Sequence, residues 1–267
     1  MNKFNNWILN WFQLKNWKPQ KFQLETWKAV LCGCSGLVNA PTGSGKTLSL
    51  LPPIIWKHIN ISKNKNELLC LWITPLRSLS QQIKISIEEF IHENDLNFTV
   101  GIRNGDTPIK VRNQQRKILP NFLITTPESF QLLISSKNWS KKFSSISTVV
   151  VDEWHELLGS KRGVQTELCI AALRNLKKNI SVWGISATIG NLEEAKNVLL
   201  GNFNSKNESV LIKSKIKKNI VVKSIAPNNI QQMPWRGHLG INLSKHIIPV
   251  LKKSNSTLIF TNTRTQC

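Results

Sequence analysis

The segment Leu37-Val-Asn-Ala-Pro-Thr-Gly-Ser-Gly-Lys-Thr47 decides the fold class of this chain. An apolar strand runs into a glycine-bearing loop, and the loop opens a helix whose free N–H groups and dipole favour phosphate. Gly43 and Gly45 allow phosphates to approach the backbone closely, although Ala40 stands where the general pattern has its first glycine. The segment therefore predicts a phosphate-binding loop.

Side chains of the same loop predict ATP and Mg²⁺ as the cofactors. Lys46 is expected to reach the β- and γ-phosphates, and the Thr47 hydroxyl to be a ligand of Mg²⁺. Thr42 and Ser44 are the other loop residues that we assign to nucleotide binding. Beyond the loop, Pro52-Pro53 predicts that the helix kinks or ends early.

Around this loop, short apolar runs alternate with helical stretches. Nearly continuous apolar character is typical of parallel strands that are buried on both faces, so the alternation predicts an α/β fold with a parallel sheet. The predicted strands are Leu37-Val38, Leu68 to Ile73, Phe98 to Ile102, Phe122 to Ile124, Thr148 to Val151 and Val182 to Ile185. The predicted helices are Phe22 to Val30, Lys46 to Ile61, Leu79 to His92, Val111 to Ile118, Gly163 to Leu176 and Leu192 to Leu199.

A second segment, Thr148-Val-Val-Val-Asp-Glu-Trp-His155, delivers two acids to the end of an apolar strand. Nucleotide sites of α/β sheets lie at the carboxyl ends of the strands. Asp152 is therefore expected to hold Mg²⁺, and Glu153 to orient or deprotonate the attacking water. Solvated acids at a strand end are the alternative for this segment taken alone. Together with the phosphate loop, it predicts Lys46, Asp152 and Glu153 as catalytic residues.

These two segments resemble motifs I and II of superfamily 2 helicases of the DEXH type, and other segments resemble further motifs in the family's order. They are Trp17 to Gln23 (Q motif), Thr74 to Leu79 (Ia), Arg103 to Thr107 (a glycine-containing loop), Thr125 to Ser129 (Ib), Ser186 to Thr188 (III) and Ile259 to Arg264 (IV). The resemblance covers essentially the whole chain. It implies a RecA-like parallel sheet with helices on both faces, the fold of P-loop NTPases, followed by the start of a second RecA-like domain.

The stretch from Asp152 to Leu168, with Ile189-Gly-Asn-Leu192, is similar to the large-helicase-related (Lhr-type) family, particularly its ligase-associated branch in bacterial DNA repair. The resemblance implies an ATP-dependent DNA helicase or translocase that moves 3′ to 5′ on single-stranded or partly duplex DNA, with DNA ligase and nuclease partners. Two alternatives stay open. One is an RNA helicase of the same fold, and the other is a non-catalytic module that binds ATP and nucleic acid.

The resemblance also assigns roles to single residues. Gln23 would read the adenine base, with Trp17 or Phe12 as its stacking partner. Ser186 and Thr188 would contact His155, and these three residues would couple the nucleotide site to nucleic-acid binding. An ordinary hydrogen-bonded histidine is the alternative for His155 taken alone.

A further set of residues would contact the phosphates of one nucleic-acid strand without reading its bases. The set is Pro75, Arg77, Ser78, Gly105, Thr126, Pro127, Asn262 and Arg264. A turn or cap role is the alternative for Ser78 or Thr126 alone. Lys161 and Arg162 fit either a strand contact or a solvated turn.

The composition of the sequence changes after Gly201, where a polar, asparagine-rich stretch begins. This change predicts a domain boundary. We expect an N-terminal RecA-like ATP-binding domain over 1–205, a linker over 206–240, and a truncated start of a C-terminal helicase domain over 241–267. That start would hold a helix (Ile241 to Leu251) and a strand (Thr257 to Phe260). The family's arginine fingers belong to motifs of the second domain that have no counterpart here. The chain alone is therefore expected to bind ATP–Mg²⁺ weakly and to hydrolyse it poorly.

The 36 Lys+Arg and 15 Asp+Glu residues give a net charge of +21. Such an excess favours a nucleic-acid partner, with compositional drift toward Lys and Asn as the alternative. The start of the chain lacks the apolar core of a secretory signal, and no apolar run approaches the ~20 residues of a membrane span, so no membrane partner is expected. The five cysteines are scattered and odd in number, which fits a reduced, cytoplasmic location.

Overall fold

A computed structural model of the chain describes residues 2–59, 67–201, 209–216, 220–224 and 244–260. The strands within these ranges are β1 (Ser35–Asn39), β2 (Cys70–Ile73), β3 (Val100–Arg103), β4 (Phe122–Thr125), β5 (Thr148–Val151), β6 (Ser181–Ser186) and β7 (Ser209–Lys213). They form one sheet in the order β3-β4-β2-β5-β6-β1-β7, and all neighbouring strands are parallel. The predicted parallel α/β sheet is confirmed.

Helices cover both faces of this sheet. They are α1 (Asn2–Leu14), α2 (Lys21–Leu31), α3 (Lys46–Ile59), α4 (Arg77–Glu93), α5 (Ile109–Lys117), α6 (Pro127–Ile134), α7 (Trp139–Lys142), α8 (Trp154–Leu157), α9 (Lys161–Leu176) and α10 (Leu192–Leu200). Because side chains alternate along a strand, Val38 and Trp72 pack with α1 to α4, whereas Leu37 and Ile73 pack with α6, α9 and α10. The sheet and these helices lie in a compact unit that spans Met1–Ile216.

Two prolines lie inside α3, so of the two expectations, a kink or an early end, the early end is wrong. Pro52 has no N–H to donate to the carbonyl four residues earlier, which belongs to Leu48. The indole Nε1 of Trp27, on α2, donates to Leu48 O at 3.0 Å instead. The freed carbonyl therefore keeps a donor, and α3 continues to Ile59.

Replacing Trp27 with phenylalanine should show how much its hydrogen bond to Leu48 O stabilises a helix that contains two prolines. The change leaves the partly buried Leu48 O without its donor, and we expect the free energy of unfolding to fall by about 1–3 kcal/mol. Urea unfolding measures the loss. Trp56→Phe is the control, because Trp56 belongs to α3 itself and its ring contacts Phe4 and Trp7. Equal losses in the two variants would contradict this account of α3.

His58, in the last turn of α3, is buried, and its Nε2 lies 2.7 Å from Ser147 Oγ. Burial, and then the charges of Lys57 and Lys177, lower the pKa of His58 to about 4, while Glu67 opposes the shift. An unfolded histidine titrates near pH 6.5, at about its ordinary value. Between these two values the unfolded chain binds more protons than the folded chain, so stability is lost as the pH falls.

We expect this histidine to lower the free energy of unfolding by about 3 kcal/mol as the pH falls from about 6.5 to about 4. His58→Gln should remove that part of the pH dependence. Urea unfolding of both proteins across this range measures the difference between their profiles. Parallel profiles would show that His58 binds a proton as readily in the folded chain as in the unfolded chain.

The boundary prediction requires a correction. Residues 206–240 were expected to form a linker, but Ser209–Lys213 is strand β7 and pairs in parallel with β1. β7 is an edge strand with Ile212 as its buried residue, so it lacks the continuous apolar run of an interior strand. The sheet domain consequently extends past residue 205.

A second unit spans Lys217–Cys267. Helix α11 (Ser244–Lys252) confirms most of the predicted helix, whose first residues, 241–243, lie outside the described ranges. The predicted strand Thr257 to Phe260 is wrong, because those residues carry no strand pairing and Leu258 and Phe260 are exposed. An extended segment becomes a strand only through hydrogen bonds to a neighbour. A second RecA-like domain stays a prediction.

Two further observations concern the described residues alone. None of their helices combines the length and the apolar character that crossing a membrane requires. Three of their cysteines, Cys32, Cys70 and Cys169, are free thiols.

Candidate nucleotide and nucleic-acid site

The phosphate loop lies at the carboxyl edge of the sheet, between the end of β1 and the start of α3. Ser44 closes a turn through its N–H and hydroxyl, which donate to Pro41 O at 3.3 and 2.7 Å. Gly43 and Gly45 have φ values of +76° and +80°, a region that other residues rarely adopt. A Cβ on Gly45 would also lie 2.8 Å from Gln23 Nε2. Both glycines are therefore required by the backbone of the loop.

Gln23 holds this loop in place. Its side chain is buried, its Nε2 donates to Gly45 O at 3.0 Å, and its Oε1 accepts from Gln20 N at 2.8 Å. The second bond belongs to the capping box that starts α2. The described role of Gln23 is thus to fasten α2 to the phosphate loop. Reading adenine stays a prediction and would require this amide to exchange a partner.

Of the two rings considered for stacking on adenine, only Trp17 is accessible. Trp17 is 51% exposed, whereas Phe12 is 3% exposed and lies in the core. Trp17 packs edge-on against Trp11 and Phe12, with ring centroids 5.8 and 6.3 Å apart. Thr42, on the loop itself, is exposed. A base that stacked on Trp17 would contact a ring that two aromatic neighbours already hold in place.

The three predicted catalytic side chains meet beside the loop. Lys46 Nζ lies 3.5 Å from Glu153 Oε1, and both side chains are largely buried, at 8% and 18% exposure. Asp152 is held on both carboxylate oxygens: Oδ1 accepts from Glu153 N at 2.9 Å, and Oδ2 lies 3.4 Å from Trp72 Nε1. Glu153 has a φ of +45°, which is costly for a residue other than glycine and typical of functional sites.

The electrostatics of the acid pair fit a bound cation. Burial, and then the charge of Glu153, raise the pKa of Asp152 to about 6, against the hydrogen bonds from Trp72 and Glu153 N and the charge of Lys46. Glu153 Oε2 is buried and accepts no hydrogen bond from the described residues, although His155 Nδ1 lies 3.4 Å away. Two buried carboxylates thus share a single lysine.

Asp152 and Thr47 are the residues that would hold Mg²⁺. Carboxylate and hydroxyl oxygens are donors that this ion prefers, and it is usually bound by one or two carboxylates together with substrate phosphates. No group of three or more His, Cys, Asp or Glu side chains suited to a metal occurs within the described ranges. The carboxylate of Asp152 and the hydroxyl of Thr47 fit a magnesium ion that arrives with a nucleotide.

Behind the acid pair, His155 Nδ1 lies 3.1 Å from Ser186 Oγ, which is the contact expected between motifs II and III. Thr188 is exposed, and its predicted contact with His155 is absent from the hydrogen bonds of the described residues. Sequence reasoning missed Asn39, whose Nδ2 donates to Ala187 O at 2.8 Å. This bond ties the strand before the phosphate loop to motif III. A polar residue at the end of an apolar strand was the available signal.

The predicted nucleic-acid residues after β2 and β3 lie together. Arg77 Nη1 donates to Asp106 Oδ1 at 2.6 Å, and a Cβ on Gly105 would collide with the Arg77 guanidinium. Ser78 and Gly105 are exposed, whereas Pro75 is buried. Motif Ia and the glycine-containing loop therefore form one continuous surface.

Arg162 joins this surface to the residues after β4. Its Nε donates to Glu128 Oε1 at 2.6 Å, and its Nη2 donates to Pro75 O at 2.7 Å. Thr126 and Pro127 are buried at the start of α6, next to Glu128. Arg162, for which the sequence allowed a strand contact or a solvated turn, thus braces motif Ia against motif Ib. Asn262 and Arg264 lie outside the described residues.

A parallel sheet whose phosphate loop faces an Asp-Glu pair defines a P-loop nucleotide-binding domain. The family model for DEAD/DEAH box helicases matches residues 20–195. The chain belongs to this family, as the motif resemblance predicted.

Relatives of this chain are helicases of the Lhr type. It is 31% identical to ATP-dependent helicase Lhr-Core of Saccharolobus solfataricus, over 98% of this chain and 31% of that protein. It is 33% identical to Lhr-Core of Methanocaldococcus jannaschii, over 96% of this chain and 32% of that protein. The structure of Mycobacterium smegmatis helicase Lhr bound to ssDNA and AMP-PNP is similar, with a TM-score of 0.78 and 26% identity, over 98% of this chain and 34% of that chain. The chain thus spans about a third of these relatives.

Proposed function

We propose that this chain is the ATP-binding part of an Lhr-type, ATP-dependent DNA helicase or translocase. The observation that carries the proposal is the convergence of Lys46, Asp152 and Glu153 beside the glycine loop. Movement from 3′ to 5′, a place in DNA repair, and DNA ligase and nuclease partners are parts of this proposal that rest on the branch resemblance. A cytoplasmic location is also proposed, and the free thiols support it.

The ion pair between Lys46 and Glu153 explains how nucleotide binding prepares the site. A triphosphate in the loop would attract the Lys46 ammonium, because it carries several negative charges against one on Glu153, and because the 3.5 Å pair is longer than the roughly 2.7–2.9 Å of a strong charge-assisted hydrogen bond. Glu153 would then be released to accept a proton from the attacking water. Mg²⁺, when bound, neutralises charge on the phosphates. Trp72 and the backbone at Glu153 keep Asp152 in place.

The surface formed by Arg77, Ser78 and Gly105 supports nucleic-acid binding by phosphate contacts. Its exposed groups are a guanidinium, a hydroxyl and backbone atoms, which position a strand without reading its sequence. The similar M. smegmatis helicase Lhr is bound to ssDNA, which favours DNA as the strand. An RNA helicase remains the second candidate, since phosphate contacts alone do not distinguish the two nucleic acids.

Titration of the chain with a fluorescent, non-hydrolysable ATP analogue, with and without Mg²⁺, tests the nucleotide site. We expect weak, Mg²⁺-dependent binding, and a chain that binds no nucleotide would overturn the proposal. Matched single strands of DNA and RNA then decide the substrate by their affinity and by their stimulation of ATP hydrolysis. Stimulation by RNA alone would favour the RNA helicase.

The same assay tests the expectation of poor hydrolysis. We expect the chain alone to turn over ATP slowly, because no residue of its sheet domain is assigned as an arginine finger, and such a finger contributes about 10³–10⁵ in rate in related NTPases. Robust unwinding by the purified chain would contradict this expectation. Turnover that stays absent when a second helicase domain is supplied would favour the non-catalytic module.

A further inference from the structure

A cleft of about 250 Å³ between α5 and α6 collects positive charge apart from the residues assigned above to nucleic-acid binding. Its charged lining residues are Arg103, Arg112, Arg116 and Lys142. Arg103 ends β3, Arg112 and Arg116 are one helical turn apart on α5, and Lys142 ends α7. Within the described part of the chain, no carboxylate lines this cleft.

The three arginines use neutral acceptors in place of carboxylates. Arg103 Nη1 donates to Arg112 O at 3.0 Å, and Arg116 Nη1 to Asn113 Oδ1 at 3.3 Å. Arg112 Nη2 donates to Gly105 O at 2.5 Å, while Arg112 Nε is buried and donates to no acceptor among the residues that the structure describes. By contrast, Arg77 and Arg162 are paired with carboxylates, those of Asp106 and Glu128.

These cations also repel one another. Burial, and then the charges of Arg112 and Arg116, lower the pKa of Arg103. A fold gains nothing in stability from like charges held together, so their convergence without an acid is typical of a site for an anion.

The positive charge continues along the molecule. Lys142 also lines an adjacent cavity of about 380 Å³, together with Lys117 and Lys141, and the acid in that lining is Glu67. The helix α5 itself contains four cationic residues and no acidic residue in Ile109–Lys117. We define the cationic band as Arg103, Arg112, Arg116, Lys117, Lys141 and Lys142.

One end of the cationic band touches the nucleic-acid surface. Arg112 bonds the carbonyl of Gly105, whose neighbour Asp106 pairs with Arg77. A strand held at Arg77 and Gly105 could therefore meet the band within the next few phosphates.

We propose that the cationic band is a second binding track for the phosphate backbone of nucleic acid, separate from the residues assigned above to nucleic-acid binding. The proposal rests on the proposed function, because it presumes that the chain binds nucleic acid. Arginine forks and lysine point charges are the groups that bind phosphate, and they do so without reading bases. The track would hold either a continuation of the bound strand or the strand paired with it at a fork.

The test compares two double variants of the full chain with the wild type. Arg116→Gln/Lys142→Gln removes two charges from the band, and Lys28→Gln/Lys178→Gln removes two exposed charges elsewhere. Affinity is measured against salt concentration for a short DNA single strand and for a fork with a duplex arm. The slope of log K, the association constant, on log [salt] is negative. We expect its magnitude to decrease by about 1.4 to 1.8 in the band variant, at about 0.7 to 0.9 per lost contact, and to stay unchanged in the control.

The two substrates identify the strand, and further comparisons keep the test decisive. A slope change on the fork alone assigns the band to the duplex arm, and a change on both substrates assigns it to the bound strand. Arg116→Lys/Lys142→Arg keeps the charges and should restore the wild-type slope, which separates charge from misfolding. Equal slopes in the band variant and the control would overturn the inference while the proposed function stands. A wild-type chain that binds neither substrate would overturn both.

Discussion

Replacing Lys46 with alanine is expected to weaken nucleotide binding by roughly 30- to 5,000-fold, the range of about 2–5 kcal/mol for losing one partner of a buried charge pair. Lys46 is the cation of the phosphate loop, and it is 8% exposed. The change also leaves Glu153 buried without its lysine, which makes the site still less suited to a triphosphate. Titration with a fluorescent, non-hydrolysable ATP analogue measures the loss.

Nucleic-acid binding supplies the internal reference for Lys46→Ala. The residues of the nucleic-acid surface keep their own partners, such as Arg77 with Asp106, so salt-sensitive binding of DNA should persist. Lys28→Ala, which removes an exposed lysine on α2, should leave both affinities unchanged. Nucleotide affinity at the wild-type level in Lys46→Ala would show that the phosphate-loop assignment is wrong.

Replacing Glu153 with glutamine is expected to reduce ATP hydrolysis by about 10²- to 10⁴-fold, the contribution of a positioned general base. An amide cannot accept the proton of the attacking water. Nucleotide affinity should hold or rise, since Lys46 loses the carboxylate that competes with phosphate for it. Single-turnover hydrolysis with protein in excess over ATP, in the presence of single-stranded DNA, detects the slow rates involved.

Glu156→Gln is the matched control for this experiment. Glu156 is three residues further along, is 59% exposed, and contacts His155 Nε2 at 3.6 Å, so the variant removes a nearby negative charge from outside the site. It should hydrolyse ATP at close to the wild-type rate. A Glu153→Gln chain that kept its hydrolysis rate would exclude Glu153 as the base and return attention to Asp152.

The sequence predicted the interior of the fold well because interior strands are apolar on both faces. Thr148–Val151 is a strand with the predicted bounds, and the other interior strands differ by a residue or two at their ends. The edge strand β7 was missed for the same reason, since a strand with a single neighbour needs less apolar surface. Helix α1 was also missed, although Phe4, Ile8, Trp11 and Phe12 have the spacing of one buried helical face.

The residues that converge at the site were likewise predicted from the sequence, while the residues that support them were not. Lys46, Asp152 and Glu153 belong to continuous motifs whose spacing is set by a strand and a turn. Trp72, which steadies Asp152, and Trp27, which replaces a hydrogen bond lost at Pro52, act across distances of 80 and 21 residues along the chain. No local pattern marks such residues.

The sequence by itself determined the class of protein, because the glycine-bearing loop and the Asp-Glu motif each depend on residues that are neighbours in the chain. Only the tertiary structure decided the role of Arg162 and gave part of the net charge of +21 a location. The sequence does not show whether a given lysine or arginine faces a carboxylate, because its partners come from other elements of the fold. The pairing of Arg162 and the clustering of the cationic band are therefore properties of the fold.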